Sequence, residues 1–272
     1  MRPVSIHPSP ALSPFVAGLH YYQSDGDQGR RLERILPGGQ VHLMVNLHDD
    51  EFRIYDGPQC ATVSRSRGAV LEGASSKARV IDTELQRNLI CVDFTLGGAA
   101  AFFNVPLSEA RDGLVDLDQL WRRDGALLRE RLLEAPTPDA KLRLLDSVLV
   151  DRMVRRDAPH KSIRFAASLL ERGTSIAEVA SCVGLLSKTL TRRFQASVGL
   201  TPKRYARVRR LQRVLGSIRD PRDVDWCETA AVHGYADQAH LVHDFRDLTG
   251  LTPTAYRPLS TEARNHVPIE PV

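Results

Sequence analysis

The chain has 272 residues, of which 42% are hydrophobic and 26% charged, with a formal net charge of +4. That length allows two domains with cores of their own, and the composition is that of an ordinary globular protein rather than a disordered or fibrous one. No run of about 18 apolar residues occurs, so no membrane-spanning helix is expected. The opening Met1-Arg2-Pro3-Val4-Ser5 has no apolar leader core, so a cytoplasmic rather than a secreted protein is expected. Cys60, Cys91, Cys182 and Cys227 are widely spaced with no C-x-x-C pair, which reads as reduced thiols rather than disulfides or zinc ligands.

Charge is unevenly placed. Residues 1–157 hold 20 Lys and Arg against 22 Asp and Glu, residues 158–217 hold 12 against 2, and residues 218–272 hold 5 against 9. The net charge of +10 in the middle stretch points to a polyanion such as nucleic acid, or else to a solvated basic face.

In chain order, the first hundred residues carry period-two alternation. Val41, Leu43, Val45 and Leu47 alternate with His42, Met44, Asn46 and His48, between the turn signals Pro37-Gly38-Gly39 and Asp49-Asp50. Phe52–Tyr55 and Leu89–Phe94 predict further strands, so residues of about 15–96 read as a β-barrel or sandwich. Gly97-Gly98 then opens a short helix, and a helical stretch begins around Asp116 and runs to Leu133. Thr137-Pro138 supplies an N-cap and an N1 proline for a helix displaying Leu142, Leu145 and Leu149. That leucine stripe suits packing on its own domain or on a second subunit. Asp157-Ala158-Pro159 is the expected linker, and the tail beyond Pro258 reads as disordered.

Between linker and tail a pattern occurs twice. Gly199-Leu200-Thr201-Pro202 through Tyr205 matches Gly250-Leu251-Thr252-Pro253 through Tyr256 at an offset of 51, as do Leu190 with Leu241 and Phe194 with Phe245. Upstream the offset is 50, pairing Glu178 with Glu228, Ala180 with Ala230 and Gly184 with Gly234. One residue is therefore inserted in the second copy between the glycine and the following helix. In the first copy Ser175 can cap a helix bearing Ile176, Val179, Ala180 and Val183, Gly184 ends it, and Ser187 caps a second helix. In the second copy Trp226, Ala230 and Val232 precede Gly234, and Asp237 caps a helix with Leu241, Phe245 and Leu248. Helix, glycine turn and helix, with a small alanine where the helices cross, is the helix-turn-helix pattern.

These residues carry a resemblance. Residues from about His160 to Pro258 resemble the DNA-binding domain of the AraC/XylS family of bacterial transcription regulators, in the twin closures and in Gly234–Leu241 followed by Phe245. The resemblance implies an all-α domain over residues 158–260, with two helix-turn-helix units joined by a long helix at Lys203–Ser217. With Leu190 and Phe194 inward, Lys188, Thr189, Thr191, Arg192 and Gln195 turn to solvent or a DNA groove. In the family the positions of Lys188, Thr191 and Arg192 face base edges, a task for which the planar arginine fork is suited. Arg193, Lys203, Arg204 and Arg207 read as phosphate contacts. In the second unit the matching positions are Gln238, Ala239 and His243, where His243 replaces a common arginine and Asp244 and Asp247 add negative charge. The first unit is therefore expected to dominate the reading of double-stranded DNA.

The resemblance further implies an N-terminal sensing or dimerising domain, here residues 1–157, with a cupin-like barrel and a helical appendage at 97–156; residues 261–272 form the tail. Leu36–Leu47 and Phe94–Ala99 resemble the N-terminal region of a poorly characterised branch of these regulators. A small-molecule effector, a homodimer and, for an activator, RNA polymerase are the implied partners. A domain that only dimerises or contacts a protein is the alternative, and a barrel-borne enzyme fused to DNA-binding helices the remote one. Cys227, His233, His240 and His243 fit no zinc-finger spacing, and His42 and His48 lack an H-x-H pair followed by glutamate. No metal, cofactor or catalytic residue is expected.

Overall fold

A computed structural model describes residues 3–24, 32–56, 60, 62–154 and 161–269. The expected linker, Asp157-Ala158-Pro159, falls outside the described residues. The N-terminal part is built from β1 (Val4–Ile6), β2 (Val16–Gln23), β3 (Leu32–Ile35), β4 (His42–Asn46), β5 (Glu51–Asp56), β6 (Thr62–Arg67), β7 (Ala69–Glu72), β8 (Arg79–Asp82), β9 (Asn88–Phe94) and β10 (Leu114–Asp116). They form two antiparallel sheets: one in the order β1-β2-β9-β4-β7-β10, the other containing β3-β8-β5-β6. This is the expected barrel-type architecture. The alternation in the sequence is its cause: Leu19, Leu43, Val45, Ile90 and Val92 are fully buried on one face of the first sheet. The helices pack there, through Phe94 against Phe103 at 6.3 Å and Phe103 stacked on Trp121 at 5.3 Å.

Asn46 departs from its alternation. It belongs by period to the face of His42 and Met44, yet it is fully buried. Its amide donates to the carbonyls of Glu51 (2.9 Å) and Leu85 (2.6 Å), and its Oδ1 accepts from the His48 and Asp49 amides. The side chain replaces backbone partners in the β4–β5 turn, which burial of a polar group requires.

The appendage consists of α1 (Leu117–Trp121), α2 (Arg123–Glu134) and α3 (Pro138–Arg152). The single helix expected from Asp116 onward is broken at Arg122, which adopts φ 55°. Gly125 explains the break, because a Cβ there would lie 2.3 Å from the Leu117 carbonyl oxygen and the start of α2 presses onto the start of α1. Thr137 caps α3 as expected, its hydroxyl accepting from the Ala140 amide at 3.1 Å.

The C-terminal part is helical, with α4 (Lys161–Glu171), α5 (Ile176–Cys182), α6 (Ser187–Val198), α7 (Pro202–Ser217), α8 (Trp226–Val232) and α9 (Gln238–Thr249). The tail overturns the expectation of disorder: β11 (His266–Ile269) pairs antiparallel with β3 at the edge of the second sheet. Val267 is buried there, and His266 bonds Glu33 at 2.8 Å. The free edge of β3 offers main-chain partners that a short segment with only Val267 and Ile269 as large apolar residues could not supply for itself.

The two parts share one apolar core. The Ala78 amide donates to the Leu248 carbonyl (2.9 Å), and Gln212 donates to the Pro37 carbonyl (2.8 Å). Gly39, at φ 72°, turns the chain beneath α7, where a Cβ would lie 3.2 Å from Val208 Cγ1. No helix among the described residues is long and apolar enough to cross a membrane.

Candidate nucleic-acid interface

The two repeats fold alike. Leu190, Phe194, Leu241 and Phe245 are buried at equivalent positions. Leu185 N–H donates to the Ala180 carbonyl and Tyr235 N–H to the Ala230 carbonyl, each at 2.9 Å, closing the same turn around Gly184 (φ 67°) and Gly234 (φ 74°). The helices before these turns are capped alike, by Ser175 with Glu178 in one copy and by Asp225 in the other. The inserted residue lies in the turn: four residues separate α5 from α6 and five separate α8 from α9.

The sequence differences have local effects. Asp237 caps α9, accepting from the His240 amide at 2.7 Å. Ser187 does not cap α6; it is the first helical residue, and the N-cap position falls on Leu186, which has no side-chain acceptor. Val232, expected on the apolar face of α8, is 71% exposed. The offset of 50 aligns buried-side Val183 with His233 instead, so alignment rather than hydrophobicity identifies the inward position.

Both closures now have a physical reading. Gly199 and Gly250 adopt φ 91° and 71° and end α6 and α9 in the left-handed conformation. The following Thr-Pro starts a new helical turn, and the tyrosine returns edge-on to the phenylalanine of the preceding helix. The Phe194–Tyr205 and Phe245–Tyr256 centroids are 5.3 and 5.9 Å apart. In the first copy the turn extends into α7; in the second it stops at Pro253–Ala255.

On α6, Lys188, Arg192 and Arg193 are exposed and Thr189, Thr191 and Gln195 half-buried. None of the three cations has an ion-pair partner among the described residues. Lys188, Thr191, Arg192 and Gln195 line one side of a cleft of about 670 Å³ whose other wall is Pro106 and Ser108 of the N-terminal part. The C-terminal end of α6 seats on that wall: a Cβ at Gly199 would lie 3.2 Å from the Leu107 carbonyl oxygen and 3.3 Å from Ala74 Cβ. Nothing in the local sequence signals this cleft, because its two walls are about eighty residues apart.

On α9, Gln238, Ala239 and His243 are exposed. The acidic residues behave differently from the sequence expectation. Asp244 is 3% exposed, facing inward with Leu241 and Phe245, and accepts from Arg207 Nε at 2.7 Å. Asp247 takes the other arm of the same guanidinium at 2.7 Å. One of the two negative charges is thus cancelled, and Arg207 is engaged in clamping α9 to α7 rather than free for a phosphate. Arg209 pairs with Glu171 at 2.9 Å, and Arg210 donates to the Gly234 carbonyl while lying 4.7 Å over the Tyr235 ring. Lys203 and Arg204 remain exposed, with Arg204 3.7 Å from Asp112. Asp244 was recognisable in the sequence as an acidic residue on the inward arc beside Phe245, a position that demands a buried partner.

Residues 179–258 match the family described as "Helix-turn-helix domain", and residues 4–116 match a domain of unknown function, DUF6597. No curated protein matches the chain. Among solved structures, ToxT from Vibrio cholerae is similar at 12% identity and a TM-score of 0.44, over 88% of this chain and 96% of that one. ToxT with bound unsaturated fatty acid is similar at 12% identity and a TM-score of 0.44, over 93% and 95%. The family match over residues 179–258 coincides with the twin helix-turn-helix units and the helix joining them, so the C-terminal part of this chain is a helix-turn-helix domain of the kind that the AraC/XylS resemblance implies.

Proposed function

We propose that this DNA-binding transcription regulator reads its operator chiefly through α6, with α9 supplying shape and phosphate contacts. The observation that carries the reading is the contrast between the helices. α6 exposes Lys188, Arg192 and Arg193 with no ion-pair partner among the described residues, whereas the matching positions of α9 hold Gln238, Ala239 and His243. Lys188, Thr191, Arg192 and Gln195 recur at helical spacing and so share one face, as base reading in a major groove needs. Lys203, Arg204 and Arg193 contribute phosphate contacts, which position the duplex without specifying it. The test is binding of the full chain to duplexes selected from a random pool. Arg192→Ala is expected to weaken binding about tenfold or more and to relax one base position. His243→Ala should cost less than about threefold on the same scale. An equal or larger loss from His243→Ala refutes the unequal division.

The N-terminal domain is the controlling part in this reading, because a duplex seated on α6 needs the space bounded by Pro106 and Ser108. A small-molecule effector acts by shifting the seat of Leu107 and Ala74 on α6. Leu107→Ala, checked for native folding, is expected to raise operator affinity by loosening that seat. Unchanged affinity in the folded variant favours a domain that only dimerises or contacts a protein.

A further inference from the structure

The helix-free face of the six-stranded sheet carries a second cluster of chemistry-bearing side chains. On β2, β9 and β4, the residues alternating with the buried Leu19, Ile90, Val92 and Leu43 are His20, Cys91, Asp93 and His42. Register puts them together: His20 lies opposite Cys91, and His42 opposite Asp93. Directly opposite residues share a face, so the four converge from three neighbouring strands. Glu72, opposite His42 on β7, pairs with Arg79 of the second sheet, so this face looks toward that sheet.

We propose that His20, His42, Cys91 and Asp93 form a binding site for one divalent transition-metal ion of the zinc type. His42 Nδ1 is 2.8 Å from Asp93 Oδ1, Cys91 Sγ is 3.4 Å from Asp93 Oδ1 and 3.8 Å from His42 Nδ1, and His20 Nε2 is 3.3 Å from Asp93 Oδ2. Zinc bond lengths of about 2.0–2.3 Å place the edges of a tetrahedral ligand set at about 3.3–3.6 Å, so the spacings among His42, Cys91 and Asp93 Oδ1 close on three corners of such a set with shifts of about half an ångström, while His20, which faces the other oxygen of Asp93, reaches the fourth corner by turning its side chain. The ligand atoms of His42, Cys91 and Asp93 all lie within 4.8 Å of one another. Two imidazoles, one thiolate and one carboxylate give two negative charges, which a dication neutralises. Thiolate and imidazole together select zinc-like ions over magnesium or calcium.

A second observation supports the site. Ser5 Oγ lies 2.8 Å from His20 Nδ1. With that nitrogen donating to the hydroxyl, the Nε2 lone pair is the one turned to the cluster. An outer partner fixing the tautomer of a ligating histidine is a regular accompaniment of metal sites. Spacing along the chain gives no sign of any of this, since the ligands come from positions 20, 42, 91 and 93 and only folding brings them to one face.

The inference is independent of how the C-terminal domain reads DNA. Its test is titration of the reduced, chelator-stripped full chain with cobalt(II), followed by zinc. One cobalt per chain is expected, with a thiolate-to-cobalt charge-transfer band and the strong visible bands of four-coordinate cobalt, all abolished by one equivalent of zinc. Cys91→Ala should lose the charge-transfer band, and His42→Ala should weaken binding about tenfold or more. Cys227→Ala, on the exposed cysteine of α8, should leave the spectrum unchanged. Absence of a charge-transfer band in the unaltered chain overturns the proposal, and so does a band that Cys227→Ala removes. These two spectra decide the matter even if Cys91→Ala fails to fold.

Discussion

Replacing Arg207 by alanine separates two roles that the sequence alone leaves merged. As a phosphate contact, Arg207 would cost little stability when removed, and the slope of log affinity against log salt would fall by about 0.9. The structure gives it different work. Asp244, 3% exposed, accepts from Arg207 at 2.7 Å and otherwise from the Tyr235 hydroxyl at 3.3 Å. Removing the guanidinium strands a buried carboxylate, which costs about 3–5 kcal/mol where both partners are buried. Arg207 retains 28% exposure, so water relieves part of that, and a loss of about 2–3 kcal/mol is expected. The exposed arm to Asp247 adds little. The assay is urea unfolding of the full chain, with Trp226, 6.2 Å from Phe245, as a probe close to the clamp. The double variant Arg207→Ala with Asp244→Asn removes the stranded charge and should recover about half of the loss. The salt slope of operator binding should be unchanged in both. A slope lower by about 0.9 with unaltered stability would refute the clamp.

The glycine turns offer an internal comparison. Gly184 and Gly199 both have left-handed φ, but a Cβ meets nothing within 4 Å at Gly184 and the Leu107 carbonyl at 3.2 Å at Gly199. Gly184→Ala should cost about 1 kcal/mol from backbone strain alone, and Gly199→Ala distinctly more in the same unfolding assay; equal costs would mean that α6 does not seat on Leu107. Val267→Ala is expected to lower stability by about 1–2 kcal/mol because Val267 is buried beside β3, whereas a disordered tail predicts no change. Burial and the nearby Arg213 hold the His233 imidazole below its ordinary value. The unfolded chain therefore takes up that proton first, so stability should decline as pH falls through about 6.5, and His233→Gln should flatten that part of the profile.

The repeat made the C-terminal domain readable because its determinants are local. An inward leucine and phenylalanine one turn apart, a glycine at a left-handed turn and a Thr-Pro helix start each act within a few residues, and two copies confirm each other's register. The strands β4, β5 and β9 were equally plain, since alternation is a property of the segment itself. Inferences from single residues failed where a neighbour from elsewhere intervened. Hydrophobicity placed Val232 inward, but alignment with the first copy gives that position to His233. Negative charge on α9 suggested repulsion from DNA, but Asp244 turns inward and Arg207, thirty-seven residues away, offsets its charge.

By itself the sequence determined that there would be two helix-turn-helix units, where each turns, and that the positive charge belongs to the first. It could do so because helix periodicity and capping are short-range. Only the tertiary structure decided that the tail returns as a strand on β3, that the base-facing side of α6 looks into a cleft walled by Pro106 and Ser108, and that His20, His42, Cys91 and Asp93 meet. Each of these depends on register and docking between segments far apart in the chain, and the preferences of single segments carry no record of such contacts.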